Sequence, residues 1–265
     1  MNQQRHTSDA RILDARTLEA DFPALIPWLR PGLRVLDVGC GTGALTEGMA
    51  DLVGPSGTVV GVDRDAQHIA HASSRATRLP WMRFEVGDAR TLDLPETFDL
   101  VAVARTLQWV AQGELAMVLS RLALALVRGG SLLALDYNHA DHRWTPSPPP
   151  ELPWFVERFC AWRQASDWHA DVLSVVPGLC EAAGLTRARV DAADEVVCRG
   201  DARFTAMSRI WPRVIETIGP TMAVEGFLGE ADRQRALDVI GRWCDDDLME
   251  QTMAARVLTT TRQTE

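Results

Sequence analysis

Three glycines at alternate positions, Gly39, Gly41 and Gly43, stand between an apolar run and a helical one. Such a loop does two things. Glycines let a ligand come close to the backbone, and a helix N-terminus offers N–H groups with no intrahelical partner. With Ala44 counted, the loop also fits the Gly-x-Gly-x-x-Gly/Ala pattern of dinucleotide binders. Acids accompany it. Asp37 lies two residues before the first glycine, Asp63 closes the next apolar run, and Asp88, followed by Ala89, closes the third. A carboxylate at Asp37 repels a pyrophosphate but suits an ammonium group. Asp63 is placed to accept both hydroxyls of a ribose, and Asp88 to accept a purine amino group.

The elements that must position these residues follow from the spacing. Short apolar strands are expected over 34–38, 58–62, 82–86, 98–104 and 131–137, with Gly129-Gly130 as a turn before the last. Helices are expected over 44–52, 66–76 and 114–127, and an N-terminal helical lead-in over 1–30. Strand–helix alternation with apolar strands predicts an α/β fold with a doubly wound, mostly parallel sheet. The three acids then sit at the carboxyl ends of strands, where open α/β sheets bind ligands. Residues 139–170, with five prolines and Trp144, Trp154, Trp162 and Trp168, read as an inserted lid over that end, holding a helix at 153–166. Residues 171–265 read as the rest of the core sheet: a helix at 172–183, a strand within 187–198, two inserted helices at 202–218 and 230–246, and a β-like run at 255–261.

Composition excludes several classes. The chain has 27 basic residues, all arginine, against 36 acidic ones, a formal net charge of −9. That balance argues against binding nucleic acid through its phosphates. Without lysine there is no Schiff base and no P-loop lysine. No apolar run approaches the roughly 18 residues of a membrane helix. The start, Met1 to His6, leads into a polar stretch without a signal-peptide core. Five scattered cysteines form no Cys-x-x-Cys pair, as expected of reduced thiols in a cytoplasm.

The run Val35-Leu36-Asp37-Val38-Gly39-Cys40-Gly41-Thr42-Gly43, then Val60-Gly61-Val62-Asp63, then Gly87-Asp88-Ala89, resembles the class I S-adenosylmethionine-dependent methyltransferases. Phe98-Asp99-Leu100-Val101 and the stretch from Leu126 to Leu133 match the family's fourth strand and its turn into the fifth. In tone the chain resembles the ubiquinone/menaquinone-biosynthesis-type small-molecule branch. The resemblance implies a seven-stranded sheet whose last strand, at 255–261, is antiparallel. It implies S-adenosylmethionine as cofactor. Gly39, Gly41 and Gly43, with Cys40, would cradle its adenosyl and methionine parts, and Asp37 would hold the amino acid end through water. Asp63, with Arg64 beside it, would take the ribose diol, Asp88 and Ala89 the adenine, and Arg105 would border the sulfonium or the substrate. Arg16 would reach the cofactor carboxylate.

Methyl transfer needs an in-line nucleophile and a base only if the acceptor must lose a proton. His139, just past the fifth strand, is the candidate base; the alternative is an exposed loop histidine. No metal site is expected from His139, Asp141 and His142, which lack a fourth ligand. His68 and His71 read as a solvated helix face. The place of the Asn/Asp-Pro-Pro-aromatic motif of exocyclic-nitrogen methyltransferases reads Ala104-Arg105-Thr106-Leu107, which disfavours nucleic acid. The lid tryptophans, with Trp109, either enclose an apolar or aromatic acceptor or form the lid's own core. The reading is methyl transfer to a small apolar or aromatic molecule, such as a natural-product intermediate, by a monomer or homodimer. Two alternatives stand: a cyclase or pericyclase on the same fold and cofactor, and an NAD(P)-dependent oxidoreductase.

Overall fold

The computed structural model describes residues 10–264, and the polar start Met1 to His6 lies outside them. Two short helices lead in, α1 (Ala10–Asp14) and α2 (Leu18–Asp21), the second capped by the Thr17 hydroxyl accepting from the Ala20 N–H. Strand β1 (Arg34–Val38) runs into the glycine loop and α3 (Ala44–Val53). Then come β2 (Thr58–Asp63), α4 (Ala66–Ala72), β3 (Met82–Val86), β4 (Phe98–Ala104), α5 (Leu115–Ala125) and β5 (Leu126–Tyr137). The remaining elements are β6 (Arg143–Thr145), α6 (Glu151–Ala165), α7 (Pro177–Cys180), β7 (Leu185–Ala192) and β8 (Glu195–Cys198). They close with α8 (Phe204–Ser208), α9 (Ile210–Thr217), α10 (Gly219–Val224), α11 (Glu230–Asp246), β9 (Glu250–Met253) and β10 (Ala255–Arg262).

The chain divides into two units. Among the described residues the first comprises 10–136, 172–193 and 256–264. Its seven-stranded sheet has the order β3-β2-β1-β4-β5-β10-β7. The pairs β3–β2, β2–β1, β1–β4 and β4–β5 are parallel, and β10 runs antiparallel to β7. The order reverses between β1 and β4, so the crevice where ligands bind such sheets lies at the end of β1, where the glycines are. Each face of the sheet has its own core. Leu36, Val38, Val101 and Val103 pack with Leu119 and Leu122 of α5, and Val35, Leu100 and Leu133 pack with Met49 and Val53 of α3. Strands buried on both faces explain the unbroken apolar runs.

The second unit comprises residues 137–171 and 194–255. It holds a small antiparallel sheet, β6-β9-β8, with α6 and α8 to α11. Its core is aromatic: Phe155, Phe159, Trp162, Phe204, Trp211 and Trp243 are all buried. Residues 194–255, read from sequence as part of the core sheet, thus belong with 137–171. The strand expected within 187–198 is two strands in different sheets, and β6 and β9 were not foreseen at all. The expected helix at 202–218 is broken, because Pro212 lacks an N–H for the Ser208 carbonyl four residues back. Pro177 likewise ends the run expected from 172, where a 3-10 turn over Val172–Ser174 precedes α7. Strand β5 starts at Leu126, directly after α5, and absorbs Gly129-Gly130 in a register shift opposite Phe98 to Leu100. Among the described residues no helix is long and apolar enough to cross a membrane.

Candidate cofactor site

The loop after β1 is forced open by its glycines. Gly39, Gly41 and Gly43 have φ of 77°, 54° and 80°, the left-handed region that side chains disfavour. Space demands glycine as well. A Cβ on Gly39 would lie 2.0 Å from Thr106 Oγ1, and one on Gly43 2.5 Å from the Phe84 ring. Thr106 and Phe84 went unnoticed in the sequence, because their approach to the loop joins distant segments.

The loop's N–H groups turn inward. Gly39 and Cys40 both donate to the Val62 carbonyl (2.7 and 3.1 Å), and Gly43 donates to the Cys40 carbonyl (3.0 Å). Gly41 donates to Asp63 Oδ2 at 2.9 Å. Dinucleotide binders aim such amides at a pyrophosphate. Here these four amides already have acceptors, so the loop is shaped by its glycines but is not a phosphate cradle.

Asp63 is half-buried at the end of β2, with Oδ1 accepting from the Asp65 N–H at 2.8 Å. Each of its oxygens thus has one backbone donor and keeps a lone pair for a further one. Asp37 is 2% exposed, and Thr46 donates its hydroxyl to Asp37 Oδ2 at 2.6 Å. Burial, helped by the Asp63 charge and opposed by the Thr46 hydrogen bond, pushes the Asp37 carboxyl up to about 7. Thr46 is a third site residue without a signal in the sequence; its i, i+9 spacing from Asp37 has no local signature. Burial also pushes the Cys40 thiol well above its ordinary value.

Asp88 ends in a different state from the one expected. Arg90 grips it: Nη2 donates to Oδ2 at 2.6 Å, Nε to Oδ1 at 3.0 Å, and the Arg90 backbone N–H to Oδ1 at 2.9 Å. These hydrogen bonds hold its carboxyl below the usual range, and the exposed Arg64 nearby adds to the effect. A purine amino group would have to compete with a guanidinium for those oxygens. Ala89 is half-buried beside it, against the core under α5.

Two expected site residues are buried away from solvent. Arg105 does not project into an open crevice. It is 5% exposed, has φ of 56°, and donates through Nη2 to the Asp21 carbonyl (3.0 Å), with the Asp21 carboxylate 3.6 Å away. A non-glycine residue in this conformation at the end of β4 is strained, and the contacts to Asp21 hold it there. His139, expected as the candidate base or else as an exposed loop histidine, is 7% exposed among Tyr137, His142, Phe159 and Trp211 in the second unit, which rules out the exposed loop. Burial, with the Arg163 charge, pushes its ring well below the ordinary histidine value, which makes it a weaker base than a free imidazole.

Other expectations resolve similarly. Arg16 is half-buried in the turn between α1 and α2. His68 is buried, contrary to the solvated face expected, while His71 is exposed and pairs with Asp14 at 3.0 Å. Trp144, Trp154, Trp162 and Trp168 pack into the second unit's own core, and Trp109 is half-buried in a 3-10 turn after β4. Among the described residues no group of three or more His, Cys, Asp or Glu side chains is arranged to hold a metal ion.

Comparison with known proteins agrees with this geometry. Residues 35–130 match a family model described as a methyltransferase domain. The trans-aconitate 2-methyltransferase of Deinococcus radiodurans is 37% identical over 145 residues, 54% of this chain and 52% of that protein. The ubiquinone/menaquinone biosynthesis C-methyltransferase UbiE of Pseudomonas syringae pv. syringae is 37% identical over 121 residues, 44% of this chain and 46% of that protein. The chain therefore spans about half the length of these curated relatives. The crystal structure of the YcgJ protein from Bacillus subtilis aligns with a TM-score of 0.59 at 16% identity, covering 92% of this chain and 99% of that one, and shows the fold. Residues 35–130, which hold the glycine loop and the acids at the ends of β1, β2 and β3, match that methyltransferase domain, and the seven-stranded sheet with one reversed strand is the fold of the solved relative.

Proposed function

We propose that this protein transfers a methyl group from S-adenosylmethionine to a small apolar or aromatic molecule. The observation that carries the reading is the pairing of inward-turned loop amides with a buried Asp37 beside an Asp63 that keeps accepting capacity. Carboxyl acceptors without free loop amides disfavour phosphate and suit a cation with a diol. Asp63 would take the ribose hydroxyls and Asp37 the ammonium end. The Asp88–Ala89 segment, with Arg64 and Arg90, would border the adenine, while Gly39, Cys40, Gly41 and Gly43 line the approach. When bound, the cofactor supplies an electrophilic methyl group on a sulfonium.

The residues of the first unit then act by holding and orienting, the main source of acceleration when no proton must move. Arg105 serves as a brace between β4 and α2. The names of the relatives, one a trans-aconitate and one a ubiquinone/menaquinone methyltransferase, support a small-molecule acceptor.

The test is incubation with methyl-labelled cofactor and mass spectrometry of product. Label in product with S-adenosylhomocysteine released is expected. Cofactor binding with unlabelled, rearranged product would instead identify a cyclase. Binding of NADH with no binding of S-adenosylhomocysteine would overturn the cofactor assignment.

A further inference from the structure

The second unit contains two buried N–H donors with no hydrogen-bond partner. The Ala254 N–H donates to His142 Nδ1 at 2.8 Å. An accepting Nδ1 carries no proton, so the neutral ring must carry its proton on Nε2. Nε2 is buried and has no partner, and the residue is 8% exposed. Trp211 is 2% exposed, and its Nε1–H is likewise buried without a partner. The two rings are neighbours, with centroids 5.7 Å apart and planes inclined at 62°. Buried polar groups in folded proteins are nearly always satisfied, so two adjacent orphans call for a third party.

The surroundings say what chemistry that party has. Phe159 and Phe155 lie against Trp211 at 5.5 and 6.1 Å, and Tyr137 and Trp144 flank His142 at 6.0 and 6.3 Å, so the neighbouring side chains are flat and largely apolar. The nearby acids are engaged. Tyr137 donates to Glu195 at 3.3 Å, and Asp194 accepts from Arg143 and from the Ala255 N–H. Arg163 adds a fully buried positive charge, stacked over Phe159 at 5.5 Å. Two donors, a cation and aromatic walls favour an oxygen acceptor over a donor or a cation.

We infer that His142 Nε2 and Trp211 Nε1 form a binding site within the second unit for an oxygen atom, carbonyl or carboxylate, carried by a flat conjugated molecule. Both N–H groups donate to that oxygen while the surrounding rings hold the planar part. A site built to hydrogen-bond an oxygen rejects an analogue that lacks it, because the buried donors are then left unpaired.

Three probes of one shape test this by calorimetry on the full chain: 1-acetylnaphthalene (neutral carbonyl), 1-naphthoate (carboxylate) and 1-ethylnaphthalene (no acceptor). At least one oxygen-bearing probe is expected to bind tenfold or more tighter than the hydrocarbon, and which one identifies the oxygen's charge. Trp211→Phe keeps an aromatic ring and removes the N–H, and should abolish that preference. His142→Asn keeps an acceptor for Ala254, removes the Nε2–H, and should do the same. Equal binding of all three probes to the native chain, as trapped water or N–H···π contacts would give, overturns the site. A preference that survives in folded Trp211→Phe also overturns it. Titration with S-adenosylhomocysteine, run in parallel on the same samples, keeps this result separate from the methyltransferase reading.

Discussion

Burial moves the two units' key titratable groups in opposite directions. In the first unit it pushes the Asp37 carboxyl up to about 7; in the second it pushes the His142 ring down to about 4. The cause is the same, since a low-dielectric site disfavours whichever form is charged. The consequence differs because carboxylates are charged when deprotonated and imidazoles when protonated. The units also differ in where the partners of such groups come from. Asp63 and Asp88 take N–H donors from residues two positions on, Asp65 and Arg90. His142 takes its donor from Ala254, and Gln251 bridges Trp144 and Met207 from 107 and 44 residues away. Asp63 and Asp88 are thus each held in part by a local turn, whereas the second unit's buried His142 and Gln251 are held by long-range contacts.

The pH dependence of stability tests the contrast most sharply. Asp37 is protonated in the folded state and ionised in the unfolded state between roughly pH 4 and 7. The folded state therefore binds the extra proton, and stability falls as pH rises through that window, by up to about 4 kcal/mol at about 1.4 per unit. Asp37→Asn should flatten this slope in urea unfolding monitored at a series of pH values; an unchanged slope would remove Asp37 as its source. His142 has the opposite sign. Its unfolded form takes a proton near pH 6.5 and its folded form only near 4, so stability is lost as pH falls through that window, by up to about 3 kcal/mol. His142→Asn should remove that loss, and a variant as acid-sensitive as the native chain would break the comparison.

Two substitutions sharpen the account of the loop. Gly39→Ala places a methyl 2.0 Å from Thr106 Oγ1 at a φ of 77° and should weaken S-adenosylhomocysteine binding at least a hundredfold, about 2.8 kcal/mol. Adding Thr106→Gly should recover part of the loss, and failure to recover any would point to backbone strain alone. Asp63→Ala should cost at least tenfold in the same titration, about 1.4 kcal/mol. An unchanged calorimetric affinity would count against the ribose role.

Much of the first unit was legible because its signals are local. An apolar strand, an acid, three glycines and a helix occur within twenty residues, and periodicity reads them directly. Helix α11 was readable to its ends for the same reason. The misreadings share a different cause. Arg105 lies 84 residues from the Asp21 that holds it, and no pattern around Arg105 announces that contact. The break between α8 and α9 was visible in Pro212, but the small sheet β6-β9-β8 joins three segments spread over more than 100 residues.

The sequence by itself determined the strand ends, the glycine positions and the identity of the acids, and with them the match of residues 35–130 to a methyltransferase domain. These depend on backbone geometry and residue type, which neighbouring residues dictate. Only the tertiary structure decided which of those acids keeps a lone pair free, that the loop amides point inward, and that His139 and Arg105 are buried while His142 and Trp211 hold unclaimed N–H groups. Desolvation and hydrogen-bond satisfaction belong to a place in the fold, and that place is set by residues far away along the chain.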